Sequence, residues 1–540
     1  MLPGEHATDP AAAADAGATV QARDHLRMAR PTLSAATGLS RGQAIAAATV
    51  LSGLVLFSVV TPNALAATLI TLCGGAFVCL IGVRAAAAFG LGRSPAGAKF
   101  VEPDVTTLPR YGVLVPLHHE AEAVPQLVAA LDRLRYPRAL LHGQLLIEAD
   151  DQATLEAVKG LRLPDWLEVT LIAPMAPRTK PKALNVGLAR TDARLLGVFD
   201  AEDRPDPDQL LRAAAAFAGG PQDLACVQAA LDVTRWRRDD AWLGLQFALE
   251  YAIHFRLLLP AWSALGWPIP LGGTSNHFRV QALRACGGWD PYNVTEDADL
   301  GVRLARDGWR IGLLDSATQE EAAPGLSAWL GQRSRWIKGH LQTWLVHMRD
   351  TPALARDIGL WPALGLQITL LGSLASAFLH LPLIGLAGIT LVRGELDPGP
   401  ATLLSAGYLS VLACAGVIIA QGRLAASPLQ ATMALISLPF YWPLQSIAAA
   451  RAAWELWRDP HRWVKTPRCA PGDDDGDERR RTDHTRRAGR FGGAGDFRPV
   501  AWRTARRSDA AAAHSMDAGG ADRDLRSGAG AGAPSESGGA

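Results

Sequence analysis

The stretch Leu196-Gly197-Val198-Phe199-Asp200-Ala201-Glu202-Asp203-Arg204-Pro205-Asp206-Pro207 decides how the rest of the chain is read. Its first four residues read as a buried strand, and the strand ends in three carboxylates. Carboxylates crowded at a strand end are costly unless something pairs with them. A divalent ion bridging a diphosphate is one natural partner, because Mg²⁺ takes one or two protein carboxylates and completes its octahedron with phosphate oxygens and water. An acidic turn capping the next helix is the other reading, since Asp206 or Pro207 opens a helix that runs to about Phe217.

Upstream, short apolar runs at Tyr111–Leu117, Gln144–Glu148 and Leu167–Ile172 alternate with polar, helix-like stretches. This punctuation, over residues 103–322, predicts an α/β domain with a largely parallel sheet. Ligands of such sheets bind at the carboxyl ends of the strands, where the three carboxylates sit.

Downstream, Thr295-Glu296-Asp297 follows a glycine-rich stretch (Gly287, Gly288) and opens a helix to about Arg306. A carboxylate at a helix N-terminus is oriented and kept ionised by the helix dipole, and so suited to accept a proton from a sugar hydroxyl. An acidic N-cap explains the same residues. A third element, Gln332-Arg333-Ser334-Arg335-Trp336, lies on a stretch over residues 323–350 with Trp329, Trp344 and Lys338. It is expected to be an amphipathic helix in the membrane interface, its tryptophans at headgroup level. Arg can hold phosphate and Trp can stack on a sugar ring, so the same helix offers a leaving-group clamp and an acceptor platform.

The chain has 540 residues, 49% hydrophobic and 19% charged. Soluble proteins carry roughly 25% charged residues, so part of the chain is expected in lipid. With 53 basic and 52 acidic residues the net charge is +1, which gives no basic field for nucleic acid. Six scattered cysteines form no CxxC pair, against a disulfide scaffold or a structural zinc site.

Gly42 to Val83 carries no charge and is interrupted at Pro62-Asn63, predicting two spans within residues 43–88. Arginines on both flanks (Arg23, Arg27, Arg30 and Arg41; Arg84 and Arg93) put both ends of the pair, including residues 1–42, in the cytoplasm. A second apolar block covers residues 360–450 and holds three or four spans. A hairpin broken near Pro382, with four spans, is favoured because the Arg-rich segment after Arg451 then also lies in the cytoplasm. Residues 470–540 are too polar to fold and are expected to be disordered.

In this order the motifs resemble the membrane-embedded processive branch of the family 2 glycosyltransferases, the group of cellulose, hyaluronan and poly-N-acetylglucosamine synthases. The resemblance covers residues 105 to 345. It implies a GT-A (Rossmann-like) cytoplasmic domain inserted between N-terminal and C-terminal transmembrane helices, in a multi-pass protein of the bacterial inner membrane. Asp200, Glu202 and Asp203 stand where the family has its DxD metal motif, with Glu202 departing from it, so Mg²⁺ or Mn²⁺ is implied with Glu202 or Asp203 as second ligand. Thr295-Glu296-Asp297 matches TED, implying Asp297 as general base with Glu296 beside it. Gln332, Arg335 and Trp336 match QxxRW. Looser matches imply substrate contacts at Glu120, at Asp151 beside Asp150 (the uracil pair), at Lys182 and Asn185, and at Gly273 and Thr274. The implied reaction moves a sugar, with inversion, from a nucleotide-sugar (UDP-linked) to a growing polysaccharide or glycan, as in exopolysaccharide biosynthesis. Membrane lipid and export-system proteins are the other expected partners. Two alternatives stay open: a non-processive transferase to a lipid-linked acceptor, and a non-catalytic membrane component of a surface or phage-adsorption assembly.

Overall fold

The computed structural model describes residues 15–92, 100, 102–236, 241–394, 398–424, 426–463 and 465. The tail expected over residues 470–540 lies outside the described residues.

Helix α1 (Ala16–Ala29) is capped by Asp15, whose carboxylate accepts the Ala18 N–H at 2.9 Å. After two short 3₁₀ turns, α2 (Arg41–Val60) starts at a capping box in which Ser40 and Gln43 satisfy each other's backbone N–H groups. The Gln43 amide also donates to the Leu345 carbonyl at 2.6 Å. No residue of α2 is buried although the helix is strongly apolar, the pattern of a helix suited to lipid. α3 (Pro62–Ala88) follows directly, with proline at the first helical position, where its missing N–H costs nothing.

The α/β domain is built on one eight-stranded sheet: β1 (Tyr111–Leu117), β2 (Leu141–Glu148), β3 (Leu167–Ile172), β4 (Leu195–Val198), β5 (Arg204–Pro205), β6 (Leu224–Arg235), β7 (Asn276–Arg279) and β8 (Arg310–Glu321). The spatial order is β3-β2-β1-β4-β7-β6-β8-β5. β3, β2, β1 and β4 run parallel, β7 is antiparallel to both neighbours, and β6 and β8 pair in parallel. The sheet is therefore mixed, and its parallel half lies where the apolar runs predicted it. Alternation along the central strands feeds two cores. Val113, Val115, Leu145 and Ile147 pack to one side with α4 (Val124–Asp132) and α5 (Gln152–Lys159). Leu114, Leu146, Leu196 and Val198 pack to the other side with α6 (Lys180–Arg190). Each such side chain stabilises the fold by about 1.5–3 kcal/mol on burial. The carboxyl ends of β1, β2 and β4 consequently open onto one edge.

α7 (Gln209–Gly219) and α8 (Ala241–Ile253) cover further parts of the sheet, and α9 (Glu296–Arg306) leads into β8. α10 (Gly325–His347) then passes to α11 (Leu360–Arg393), α12 (Pro398–Ala420) and α13 (Pro428–Arg458). Among the described residues, α2, α11, α12 and α13 are long and apolar enough to cross a membrane. Two expectations are corrected here. Pro382 does not break a hairpin, because α11 continues through it. The Ser446 hydroxyl of α13 donates to Ala377 O at 2.6 Å and accepts from Leu381 N at 3.1 Å, repairing the turn that the proline disturbs. Nor does α10 lay its tryptophans in lipid headgroups. Trp329 is wholly buried, Arg333 pairs with Glu250 at 2.7 Å, and Trp344 donates to Gln367 at 2.8 Å, so the helix is clasped between the domain, α11 and α13.

Candidate active site

The strand ends open into a cleft with about 950 Å³ of empty space, open solvent at its mouth included. Its walls carry His118 and Glu120 after β1, Glu148 at the end of β2, Lys180 at the start of α6, Asp200 and Glu202 after β4, and Gln332 and Arg335 from α10. Lys180 is the pivot. Its ammonium group pairs with Asp200 and donates to Gly273 O at 2.6 Å. A Cβ on Gly273 would stand 3.9 Å from that nitrogen and 3.3 Å from Oδ2 of Asp297, so the backbone threads closely between cation and carboxylate. Asp200, Glu296 and Asp297 all raise the affinity of Lys180 for its proton, against the burial that opposes it. The two acidic stretches, about one hundred residues apart, thus meet at Lys180: Asp200 and Glu202 line the cleft, whereas Glu296 and Asp297 lie behind Lys180 and are not among its walls.

The Thr295-Glu296-Asp297 turn begins α9 and is held by α10. Asn293 donates to Thr343 at 3.0 Å, and Gln342 accepts the Val294 N–H at 3.2 Å. A Cβ on Gly339 would meet Thr295 at 2.4 Å, so only glycine lets α10 approach so closely. Asp297 Oδ1 accepts the Ala298 N–H at 2.8 Å. Burial pushes the Asp297 carboxyl up to about 6 and the Glu296 carboxyl up to about 8. In the case of Glu296 the Asp297 charge adds to that burial. Near neutrality this separates an ionised Asp297 from a protonated Glu296.

The other expected site residues divide. Glu120 lies in the cleft, 3.1 Å from Lys465. Asp203 points away: it accepts the Asp200 N–H at 2.7 Å and the Thr274 hydroxyl, while its buried Oδ1 has no hydrogen-bond partner. Asp203 and Thr274 therefore shape the acidic turn rather than line the cleft. Asp151 caps α5, accepting N–H groups from His119 at 2.6 Å and Thr154 at 3.3 Å. Asp150 pairs with Arg178 at 2.6 Å. Lys182 is wholly buried against Glu148, at 2.7 Å, and Met175 O. Asn185 reaches no ligand space, because its amide donates to Ala22 O of α1 and to Trp289 O. Trp336 packs within the domain, stacked on Tyr251 at 6.0 Å and lying 4.8 Å from the Arg333 guanidinium.

Four groups escape the sequence reading. Lys180, not Lys182, faces the acidic turn. Glu148 lines the cleft with a buried oxygen, Oε2, that has no hydrogen-bond partner. Glu320 on β8 is buried beside Asp203, Glu202 and Asp200, and burial with these charges holds it well above the usual carboxylate range. The segment after α13 folds back over the cleft. Lys465 donates to His119 O, Trp463 lies 5.0 Å from the Arg335 guanidinium, and Lys338 and Gln342 each hold a carbonyl of the segment at 2.8 Å. The Lys182-for-Lys180 error has a readable source, since residues two apart on a helix face opposite ways. Trp463 had no signal beyond its place in a basic flank.

The α/β domain, whose strand ends gather carboxylates, a lysine and an arginine, is thus fixed to helices long and apolar enough to cross a membrane. Residues 196–444 match the family described as Glycosyl transferase family group 2. It is similar to the β-monoglucosyldiacylglycerol synthase of Trichormus variabilis, 29% identical over 242 residues, which are 44% of this chain and 50% of that protein. It is also similar to the probable glucomannan 4-beta-mannosyltransferase 1 of Arabidopsis thaliana, 28% identical over 253 residues, 44% of each chain. The chain thus spans about half the length of the curated relatives it matches. Among solved structures, a mannosyltransferase from Pyrobaculum calidifontis in complex with GDP-Man and Mn²⁺ aligns over 71% of this chain and 99% of its own, with 21% identity and a TM-score of 0.41.

Proposed function

We propose that this protein transfers a sugar, with inversion, from a nucleotide-sugar to the hydroxyl of a glycan or lipid-linked acceptor at a membrane face. The observation that carries this reading is the position of Lys180 between Asp200 and Asp297. The diphosphate is bound by Lys180 and Arg335, which stabilise the charge that develops on the leaving group. Asp297, ionised near neutral pH, takes the acceptor's proton as its oxygen attacks the anomeric carbon in line, and no covalent enzyme intermediate is needed. Glu296, protonated, adds no second negative charge beside the base.

A divalent cation fits the donor set. Asp200 and Glu202 both line the cleft, hard oxygen ligands where a diphosphate would be held, and Asp203 and Glu320 behind them are held well above the usual carboxylate range by burial and by these neighbouring carboxylates, crowding that a cation would relieve. Such an ion, Mg²⁺ or Mn²⁺, would offset the diphosphate charge as a Lewis acid. Glu148 Oε2 is placed to accept a ring N–H of the donor's base, which uracil and guanine both supply and adenine does not. A UDP-linked donor fits this requirement. On the acceptor side the stacked Tyr251–Trp336 pair lies close enough for Tyr251 to feel the Asp297 charge, and its rings can pack on a sugar face.

The test is release of nucleoside diphosphate from a panel of nucleotide-sugars by solubilised protein with Mg²⁺ or Mn²⁺, beside Asp297→Asn. Metal-dependent turnover that falls with the variant is expected. Turnover indifferent to both, or none with any donor, overturns the proposal in favour of a non-catalytic role. Product length on a sizing gel then separates polymer synthesis from single transfer.

A further inference from the structure

We propose that His118, His119 and Asp151 form a metal site of their own, with Zn²⁺ as its ion, at the rim of the cleft and separate from the acidic turn after β4. One ring nitrogen from each histidine and one oxygen of the Asp151 carboxylate lie within 4.8 Å of one another. The His119 Nδ1 to Asp151 Oδ1 distance is 3.4 Å. Zinc bonds of about 2.1 Å at tetrahedral angles set ligand atoms about 3.4 Å apart, so this pair already stands along one edge of the required polyhedron. Two imidazoles and a carboxylate are a donor set that zinc takes with its fourth position left to water. Mg²⁺, which wants an octahedron of oxygens, is poorly served by it.

The backbone is bent to make this set. Consecutive side chains on a strand point to opposite faces, and His118 and His119 follow β1 directly. His119 leaves that pattern with a φ of +55°, a left-handed conformation that residues other than glycine seldom adopt. The two rings come to lie 4.1 Å apart between centroids, tilted by 42°. Asp151 holds the turn by accepting the His119 N–H on Oδ2 at 2.6 Å, while Oδ1 takes a longer contact from the Thr154 N–H at 3.3 Å. Backbone donors that fix a carboxylate in this way are the outer support that metal ligands need.

Two further observations point to a ligand. His118 Nδ1 is buried without a hydrogen-bond partner among the described residues, although buried ring nitrogens are ordinarily engaged. A plain His119–Asp151 contact explains the 3.4 Å approach but neither the second ring nor its orphaned nitrogen. The His119 side chain is 64% exposed, so an ion can enter from solvent and the ring can turn to meet it. The cations nearby are already paired, Lys465 with Glu120 at 3.1 Å and Arg178 with Asp150 at 2.6 Å, which limits their repulsion of a metal. His118 also lines the cleft, so an ion held here stands at its entrance.

The ion needs no sugar transfer in order to bind, and the test is one of binding. The full chain, purified in detergent without a histidine tag and stripped with chelator, is dialysed against Zn²⁺ with Mg²⁺ in large excess to fill oxygen-only sites. Bound zinc is counted by mass spectrometry, and Co²⁺ replaces it for visible spectra. Histidines and cysteines elsewhere in the chain can hold zinc of their own, so the readout is the difference between proteins. His119→Asn removes the imidazole and keeps a residue that tolerates the left-handed turn. Asp151→Asn keeps an oxygen that caps α5. Each, like His118→Gln, is expected to lose one equivalent of zinc, its affinity falling by about 100-fold or more, beyond what a neighbour of a ligand is worth. The difference spectrum with Co²⁺ is expected to show the intense bands of a four-coordinate ion. Equal zinc in wild type and His119→Asn overturns the proposal, as does a weak, six-coordinate difference spectrum, and zinc undiminished in folded Asp151→Asn overturns the ligand set.

Discussion

Asp297→Asn tests the assignment of the base most directly. With the Asp297 carboxyl raised to about 6, about 91% of it is ionised at pH 7 and about 9% at pH 5, so kcat/KM should fall about tenfold between them on the acid limb. A bound divalent cation would draw that limb to lower pH without changing its unit slope. In the variant the amide cannot take a proton, and the loss should be about 10²- to 10⁴-fold, equivalent to about 3–5 kcal/mol of barrier. Because Asp297 lies behind Lys180 rather than along the donor walls, KM for the nucleotide-sugar should change little. The assay is steady-state release of nucleoside diphosphate from pH 4.5 to 8.5 for both proteins. A variant within tenfold of wild type, or one that keeps the acid limb, would refute the assignment.

Three further outcomes follow from the geometry. Lys180→Met should lower kcat by about 10²-fold or more through loss of diphosphate stabilisation, whereas Lys182→Met should act on thermal stability, with kcat within a few-fold, as melting and turnover measurements on both will show. Glu148→Gln combined with Lys182→Met, which keeps the buried pair neutral, should raise donor KM by about 10- to 100-fold at nearly constant kcat, and an unchanged KM would remove the base-reading role. Asp290, which accepts Ser34 Oγ at 3.1 Å and Ala35 N at 2.6 Å, is raised to about 6 by burial and by the Asp299 charge. The folded state holds this proton more tightly than the unfolded chain, so its contribution is complete below about pH 4 and is lost as pH rises through about 6, a change of about 3 kcal/mol. Denaturant titrations from pH 4 to 7 should show that decline, and Asp290→Asn should flatten it.

The acidic strand end and the Thr295-Glu296-Asp297 turn were legible because each is a local constellation whose chemistry depends on neighbours in sequence. What failed depended on phase or on distant partners. Lys180 and Lys182 look alike in sequence, and only the rotation of α6 turns one to the cleft and buries the other with Glu148. Asn185 and Asp151 stand where ligand contacts were expected, but the amide is engaged by α1 and the carboxylate by the start of α5. Pro382 reads as a breaker until Ser446, 64 positions on, supplies the missing hydrogen bonding. Trp463 and Lys465 sit in a basic flank whose charge speaks to topology, while their place over the cleft comes from tertiary anchoring to α10.

The grip of α1 and the turns after it on the domain has a consequence for biosynthesis. Ser34 meets Asp290, and Arg349 donates to the carbonyls of Thr32, Ser34 and Gly38, contacts that close loops of more than 250 residues. The ribosome delivers α1, α2 and α3 before the α/β domain, so the strap made by α1 and the turns after it must wait, undocked, until its receptor surfaces have been translated. Its docking is then a late, slow-to-find step that waits for Asp290 and Arg349 to be in place.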